Sequence, residues 1–144
     1  MNYKRLILAL VVCAIGFLGF MTLSIPDKPP MPKITYQGES VRVLQGSYLW
    51  KTFFKGVEAE YPIPPELVAN IPPTIVSPES NLKVTFDYEP NDIGVMLWTK
   101  TGSHDYNIDH KTVIMPEDKG IYVFEIKSKW NQGDSIYAFK IKVE

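Results

Sequence analysis

Both histidines of the chain lie in one short stretch that could bind a metal ion. His104, Asp105, Asp109 and His110 fall within seven residues. Imidazole and carboxylate groups are ligands for divalent metals if a loop folds back and brings them together. Zinc sites use three or four convergent ligands, and this spacing matches no established site, so a solvated hairpin loop explains the same residues. A metal-dependent hydrolase built on His104, Asp109 and His110 is therefore an alternative hypothesis, and no cofactor is predicted.

Oxygen-bearing side chains also surround Pro90. Asp87, Glu89, Asn91 and Asp92 could supply ligands to calcium, although the usual calcium loop with its glycine is absent. Turn formation around the proline accounts for the same residue types. Both interpretations remain open from the sequence.

Common catalytic patterns are missing from the chain. G-x-S-x-G, H-E-x-x-H, Walker-type and dinucleotide-binding glycine patterns do not occur. Cys13 is the only cysteine, so residues 24–144 contain no thiol for a disulfide, a zinc–cysteine site or a nucleophile. The net charge is −1 and the charges are interspersed, which gives no basic face for nucleic acid. We predict a protein that is not an enzyme and that binds no nucleic acid.

An apolar segment precedes all of these residues in the chain. Residues 6–23 are 18 residues without a charge, and Lys4 and Arg5 come directly before them. As a helix, this segment would be about 27 Å long, close to the thickness of the hydrocarbon core of a bilayer. Because the positive residues come first, we predict a cytoplasmic N-terminus over residues 1–5 and a transmembrane signal anchor over residues 6–23. The rest of the chain is then outside the cell membrane, which the anchor crosses once.

Two alternatives to an uncleaved anchor remain open. A cleaved signal peptide has an apolar region of about 7–15 residues and small residues before the cut. Thr22-Leu23-Ser24 is a poor match to such a site, and the apolar run is longer. A lipoprotein would need a small residue before Cys13, and position 12 is valine. The length of the run therefore favours the anchor.

Prolines mark the passage from this segment to the predicted domain. Four prolines lie between positions 26 and 32, which favours an extended, semi-rigid stalk over residues 24–33. Residues 34–144 are predicted to form one extracytoplasmic domain, and about 110 residues suffice for a core. A proline-rich connector over residues 61–78 has room for one helical turn at residues 65–68.

The rest of the predicted domain alternates as β-strands do. Residues 120–130 place apolar side chains at even positions and a lysine-rich face at odd positions. After a polar turn at residues 131–134, Tyr137 begins a second alternating run, which predicts a hairpin. Further strands are predicted at residues 34–36, 41–49, 82–88, 93–99 and 111–115. Six or seven short strands predict an all-β antiparallel sandwich or a small barrel.

One stretch of the second half resembles a known family. Asp118-x-Gly120-x-Tyr122-x-Phe124 is similar to the D-x-G-x-Y-x-C corner of immunoglobulin-like domains, with phenylalanine in place of the second cysteine. The resemblance implies a compact immunoglobulin-like antiparallel sandwich over about residues 80–144. It also implies that the tyrosine hydroxyl bonds to the backbone a few residues upstream.

Two more positions carry the same resemblance. Phe86 looks like the replacement of the first cysteine, and Trp98 resembles the core tryptophan of the next strand. The 23 residues between Trp98 and Tyr122 leave room for one or two strands. One core is therefore expected to contain Phe86, Trp98, Phe124, Ile126, Phe139 and Ile141.

A separate stretch, Gly46-Ser47-Tyr48-Leu49-Trp50, is similar to a G-S-Y-x-W stretch in uncharacterised membrane-anchored envelope proteins of Gram-positive bacteria. Some of those proteins carry a cysteine where this chain has leucine. The similarity implies a location and a fold but no activity.

The aromatic residues Tyr48, Trp50, Phe53 and Phe54 form a dense group. An exposed group would suit a partner surface or a stacking platform for sugars or peptides, whereas large aromatics are more often core. We predict a membrane-anchored binding or structural module of the cell envelope with a protein or cell-wall partner. A carbohydrate- or peptide-binding sensor domain that uses these aromatics is the other alternative.

Overall fold

The N-terminal part of the chain forms one helix. The computed structural model describes residues 3–23 and 25–144, and the side chains of residues 3–17 and 25–144. Helix α1 spans Tyr3–Leu23. In the part of the chain that the structure describes, no helix has the length and apolar character needed to cross a membrane.

The regular secondary structure in the remainder of the described chain is almost entirely β-strand. It contains eleven strands and one helical turn, α2, at Pro64–Leu67, where the connector was predicted to turn. The strands are β1 Lys33–Tyr36, β2 Glu39–Ser40, β3 Val43–Lys51, β4 Gly56–Ala59, β5 Thr74–Val76, β6 Asn81–Thr85, β7 Asp92–Thr99, β8 Gly102–Tyr106, β9 Thr112–Ile114, β10 Gly120–Trp130 and β11 Gly133–Val143. The all-β prediction is confirmed, but six or seven strands was too few. The additional strands are two to five residues long, too short to show a period of two.

The strands form two sheets. One has the order β2-β1-β6-β9, and the other has the order β4-β3-β11-β10-β7-β8 with β5 beside β11. Among the described strands, the β5–β11 pair is parallel and the other pairs are antiparallel. Both sheets contribute to one hydrophobic core, with Leu82 and Val84 on the smaller sheet and Phe124 and Phe139 on the larger. This arrangement is compatible with a β-sandwich.

The β10–β11 hairpin is the centre of the larger sheet. Its register runs from Gly120 opposite Val143 to Trp130 opposite Gly133, so the turn is two residues, shorter than the predicted four. Phe124 and Phe139 lie opposite each other and stack, with ring centroids 5.2 Å apart. The predicted inward face of both strands is confirmed. β11 also pairs with β3 and β5 on its other edge.

Five of the six predicted core residues are confirmed and one is wrong. Phe86, Phe124, Ile126, Phe139 and Ile141 are all buried in one cluster.

The wrong one is Trp98, which is only half-buried. Val95 is buried and Leu97 packs against the core, so strand alternation directs Trp98 to the outer face. The core tryptophans are Trp50 and Trp130, whose exposed fractions are 0% and 3%.

The proline-rich segment contacts the domain. The Trp50 indole N–H donates to the carbonyl of Pro26 at 2.7 Å. The Gln45 amide donates to Pro29 at 3.4 Å, and the Tyr137 hydroxyl donates to Pro30 at 2.5 Å. Proline has no N–H but keeps its carbonyl acceptor, so donors from β3 and β11 can bind this segment.

Gly133 is a point of close backbone approach in the larger sheet. It pairs with Trp50 and has φ of +152°. A Cβ atom at this position would lie 2.0 Å from the carbonyl oxygen of Leu49. Glycine is therefore required here, because any side chain would push β3 and β11 apart.

Candidate binding surface

The two histidines lie on separate hairpins. His104 is on β8, and its Nε2 atom lies 3.1 Å from the hydroxyl of Thr99 on the neighbouring strand β7. His110 lies in the turn that leads into β9, where it has a positive φ of 43°. Its exposed ring is 3.5 Å from Asp109. No three histidine, cysteine, aspartate or glutamate residues in the described chain come together to hold a metal. The structure therefore does not assemble His104, Asp109 and His110 into a centre.

Two of the three carboxylates near Pro90 already have partners. Asp87 accepts a hydrogen bond from the Lys33 ammonium at 2.7 Å, and Glu89 lies 2.8 Å from Lys111. Asn91 donates to the side chain of Asn131 at 2.7 Å, which ties the loop to the β10–β11 turn. These contacts favour the turn interpretation over the calcium site.

The aromatic group of β3 divides into a buried half and an exposed half. Trp50 is fully buried and packs edge-to-face against Trp130, with ring centroids 5.3 Å apart. Tyr48 is 9% exposed. Phe53 and Phe54 are 83% and 86% exposed. Burial agrees with the core interpretation for Tyr48 and Trp50, while Phe53 and Phe54 remain available as a partner surface.

Phe53 and Phe54 form the apex of the β3–β4 hairpin. The Thr52 N–H donates to the Lys55 carbonyl at 2.7 Å, and this bond closes residues 52–55, which we call the Phe53–Phe54 tip. The two rings contact each other edge-to-face with centroids 5.0 Å apart. Alternation places Trp50 in the core but ends at the closing bond, so the apex side chains belong to neither face of the sheet.

The hydrogen bond predicted for the tyrosine corner at residues 118–122 is present. The Tyr122 hydroxyl donates to the carbonyl of Asp118 at 2.8 Å, which confirms the predicted bond. A Cβ atom at Gly120 would lie 3.4 Å from the tyrosine ring, so glycine lets the ring cross the corner. Tyr122 itself is half-buried, less than predicted.

Phe86 and Phe124 occupy different levels of the core. Phe86 packs edge-to-face against Trp130 and Tyr137, with centroids 5.4 and 5.8 Å away. Phe124 stacks on Phe139. The two phenylalanines are both core residues, but they do not pair with each other as two bridged cysteines would.

Sequence reasoning missed a buried carboxylate on the outer face of the larger sheet. Glu125 is 2% exposed, and its Oε2 atom accepts a hydrogen bond from the Trp98 indole at 2.6 Å. Lys127 lies 3.7 Å from the other oxygen. The residue stands in a lysine-rich alternating face, where a glutamate is ordinarily solvated. Its burial could have been predicted from Trp98 on the neighbouring strand, but only after Trp98 had been assigned to the outer face.

A shallow groove of about 410 Å³ lies on the same outer face. Gly94 leaves it open, since a Cβ atom there would meet no atom within 4 Å. Its other lining residues mix both charges with apolar groups, namely Asp92, Met96, Asp105, Lys127, Ser128, Lys129, Asp134, Ser135 and Ile136. Such a surface suits a polar segment of a partner, and nothing in it pairs a nucleophile with a base.

The most strongly shifted ionisable group is in the core. Burial raises the pKa of Tyr137 to about 12, although Ser135 and Gln45 act against the shift. Its hydroxyl stays protonated and donates to Pro30. The role of Tyr137 is therefore to hold the proline segment against β11.

Comparisons with protein-family models, curated proteins and solved structures find no match.

Proposed function

We propose that the protein is a membrane-anchored extracytoplasmic module that acts by binding or structural association and not by catalysis. The observation that carries the proposal is the exposure of apolar side chains on all sides of residues 6–17 of α1. In the described residues of the domain that follows, no three metal-ligating side chains come together.

Apolar side chains point outward on every side of residues 6–17 of α1. Successive residues of a helix are rotated by about 100°, so exposed neighbours such as Leu6, Ile7 and Leu8 already lie on three different sides. The large apolar residues exposed on α1 are Leu6, Ile7, Leu8, Leu10, Val11, Val12, Ile15 and Phe17. A helix that is apolar all round is buried in a core or in a membrane, and none of these residues belongs to the core cluster. Lipid is the environment that this surface fits.

The sequence around α1 supports an orientation. Residues 6–23 are 18 residues without a charge, and Lys4 and Arg5 lie on the N-terminal side. Cytoplasmic ends carry the excess of positive residues. The module therefore has its N-terminus inside the cell and residues 34–144 outside.

We also propose that the domain is immunoglobulin-like. Strands β1, β6 and β9 share one sheet, and β7, β10 and β11 share the other, as strands A, B, E and C, F, G do in that sandwich. The bond from Tyr122 to Asp118 matches the tyrosine corner at the start of strand F. The outward Trp98 and the added β3–β4 hairpin depart from the family pattern.

The anchor is tested on the full chain expressed in cells. We expect the chain to resist alkaline extraction from membranes, and residues 34–144 to be digested by protease added outside intact cells. Two arginines in the apolar run, Leu10→Arg with Ile15→Arg, should release the chain, since each costs about 2.5–3.5 kcal/mol at the centre of a span. Ile75→Arg, at a position that is 56% exposed on the domain, is the matched control and should change nothing.

Intact mass spectrometry separates the remaining alternatives. An unmodified chain that retains residues 6–23 agrees with the proposal. A mature N-terminus near Ile25 would show cleaved secretion, and a diacylglyceryl group on Cys13 would show a lipoprotein. Either result would overturn the uncleaved anchor.

The partner is approached by crosslinking in membranes. Residues in the outer-face groove and on the opposite sheet are replaced by a photoreactive amino acid, and the protein is purified with its crosslinked products. A binding module should yield one discrete product from one face. Products from neither face would count against function by association with a protein.

A further inference from the structure

We propose that the Phe53–Phe54 tip is a second membrane contact, which inserts into the lipid headgroup region beside the anchor and sets how the domain is oriented on the bilayer. The inference rests on the proposed anchor and adds to it a named lipid-binding surface. Three observations carry it: the exposure of the two phenylalanines, their place next to the chain's entry into the domain, and the charges around them.

The exposure of the tip is unusual for apolar side chains. Phe53 and Phe54 are 83% and 86% exposed, the highest values among the exposed large apolar residues of the described chain. Their rings touch at 5.0 Å between centroids, so they present one continuous apolar patch. Contiguous exposed apolar surface marks a contact with a partner or a membrane.

The tip lies at the end of the domain where the chain enters from α1. Pro26 is three residues beyond Leu23, the last residue of α1, and three residues span at most about 11 Å. The carbonyl of Pro26 accepts the indole N–H of Trp50 at 2.7 Å. Phe53 is three residues beyond Trp50 along the hairpin, so it lies within about 11 Å of that tryptophan. A membrane that holds α1 is therefore within reach of the tip.

The charges around the tip fit an anionic lipid surface. Lys51 and Lys55 flank the two phenylalanines, are exposed, and form no ion pair with any described residue. The nearest carboxylates on the neighbouring strands are Glu58 and Asp134, which lie opposite Leu49 and so stand further from the apex than the two lysines. Lysines reach headgroup phosphates while apolar side chains enter the acyl boundary, and each lysine near an anionic membrane adds to the attraction.

The chemistry of the pair favours lipid over a sugar or peptide. Phenylalanine has no polar atom with which to bind a hydroxyl or an amide, unlike tyrosine or tryptophan. The rings are also inclined at 76° to each other, so the tip offers no flat platform of two rings. An apolar, disordered environment with phosphates above it satisfies both the rings and the lysines.

The test uses the full chain in vesicles that contain anionic phosphatidylglycerol. In a Cys13→Ser background, Lys55→Cys carries an environment-sensitive fluorophore next to the intact phenylalanine pair. Ile121→Cys carries it at the far end of β10, where the side chain is 64% exposed. That site is nine residues from Trp130, a separation of about 30 Å along the strand.

We expect spin-labelled lipids to quench the probe at position 55 at least twofold more than the probe at position 121. The double variant Phe53→Ser with Phe54→Ser should reduce quenching at position 55 to the level at position 121. It should leave the thermal unfolding unchanged, because both side chains are exposed.

The outcomes separate the inference from the anchor. A chain that fails to float with the vesicles would refute the anchor itself. Flotation with equal, weak quenching at positions 55 and 121 would keep the anchor and overturn the lipid contact. Shielding of position 55 from aqueous iodide without quenching by spin-labelled lipid would assign the tip to a protein partner, which also overturns it.

Discussion

Replacing Gly133 by alanine should destabilise the domain severely, although it adds only one methyl group. The added Cβ atom would lie 2.0 Å from the Leu49 carbonyl oxygen. Real Cβ atoms essentially never come within 3.0 Å of an atom to which they are not bonded. The backbone of β3 or β11 must therefore move by about 1 Å. The positive φ of the glycine adds strain for any residue with a side chain.

The cost can be worked from the contacts that such a shift disturbs. The Lys51 N–H bond to the Gln132 carbonyl, 2.8 Å long, and the Gly133–Trp50 strand pair both lie at this point. Each hydrogen bond contributes about 1 kcal/mol, and a side chain held at this positive φ costs about 1–3 kcal/mol more. Trp50 also loses part of its contact with Trp130. A loss of about 3–5 kcal/mol is expected, against a typical total stability of about 5–15 kcal/mol.

Thermal unfolding followed by circular dichroism measures this loss. For a domain of this size, about 4 °C is lost per kcal/mol, so the Tm should fall by about 12–20 °C. Gly94→Ala is the matched control, because its Cβ atom would meet nothing within 4 Å and should change stability by about 0.5 kcal/mol or less. Equal Tm values for Gly133→Ala and Gly94→Ala would refute the close approach of β3 and β11.

Three further outcomes test the corner, the outer face and the core. Tyr122→Phe should cost about 0.5–1.5 kcal/mol in urea unfolding because it removes the bond to Asp118, and no measurable cost would refute the corner. Trp98→Phe should lower the free energy of unfolding by about 1.5–3 kcal/mol, because it takes a hydrogen-bond donor from the buried Glu125 carboxylate. In a Glu125→Gln background the same substitution should cost less. Equal costs with and without the Glu125→Gln change would show that the indole acts through packing alone. Because folding raises the pKa of Tyr137 to about 12 from 10.0, its stabilising effect is complete below pH 10 and is lost between about pH 10 and 12. Tyr137→Phe should remove that part of the alkaline loss in unfolding experiments, and an unchanged pH profile would contradict the burial of the hydroxyl.

Long alternating strands could be predicted from the sequence, and short ones could not. β10 and β11 each run for 11 residues, and in each the aromatic side chains share one parity while the lysines share the other, which indicates one inward face. β8, with the sequence GSHDY, is an edge strand and needs no apolar face, so its composition indicates a loop. Its pairing with β7 comes from the sheet and not from its own residues.

The error at Trp98 has a similar physical cause. β7 carries apolar residues at both parities, Val95 and Leu97 on one side and Met96 and Trp98 on the other. A period of two cannot choose between two apolar faces. The choice is made by β10, which places Glu125 where it binds the outward tryptophan.

The aromatic group of β3 shows how far the candidate surface could be predicted from the sequence. Residue types alone make Trp50 and Phe53 equally good core residues. What separates them is the bond from Thr52 to Lys55, which ends the strand between them. Turn closure depends on backbone geometry. Residues 52–55, Thr-Phe-Phe-Lys, contain no pair such as Asn-Gly that would indicate a hairpin turn.

The position of β11 in the chain has a consequence for when the domain can fold during synthesis. β11 pairs with β3, β5 and β10, and it follows all three in the sequence. The larger sheet therefore lacks its central strand until β11 has been synthesised, and the pairing with β3 then spans about 90 residues. Such distant pairing is slow to form. If the domain is exported as proposed, it would thus stay unfolded, and able to pass through a translocation channel, until nearly all of it has emerged on the far side.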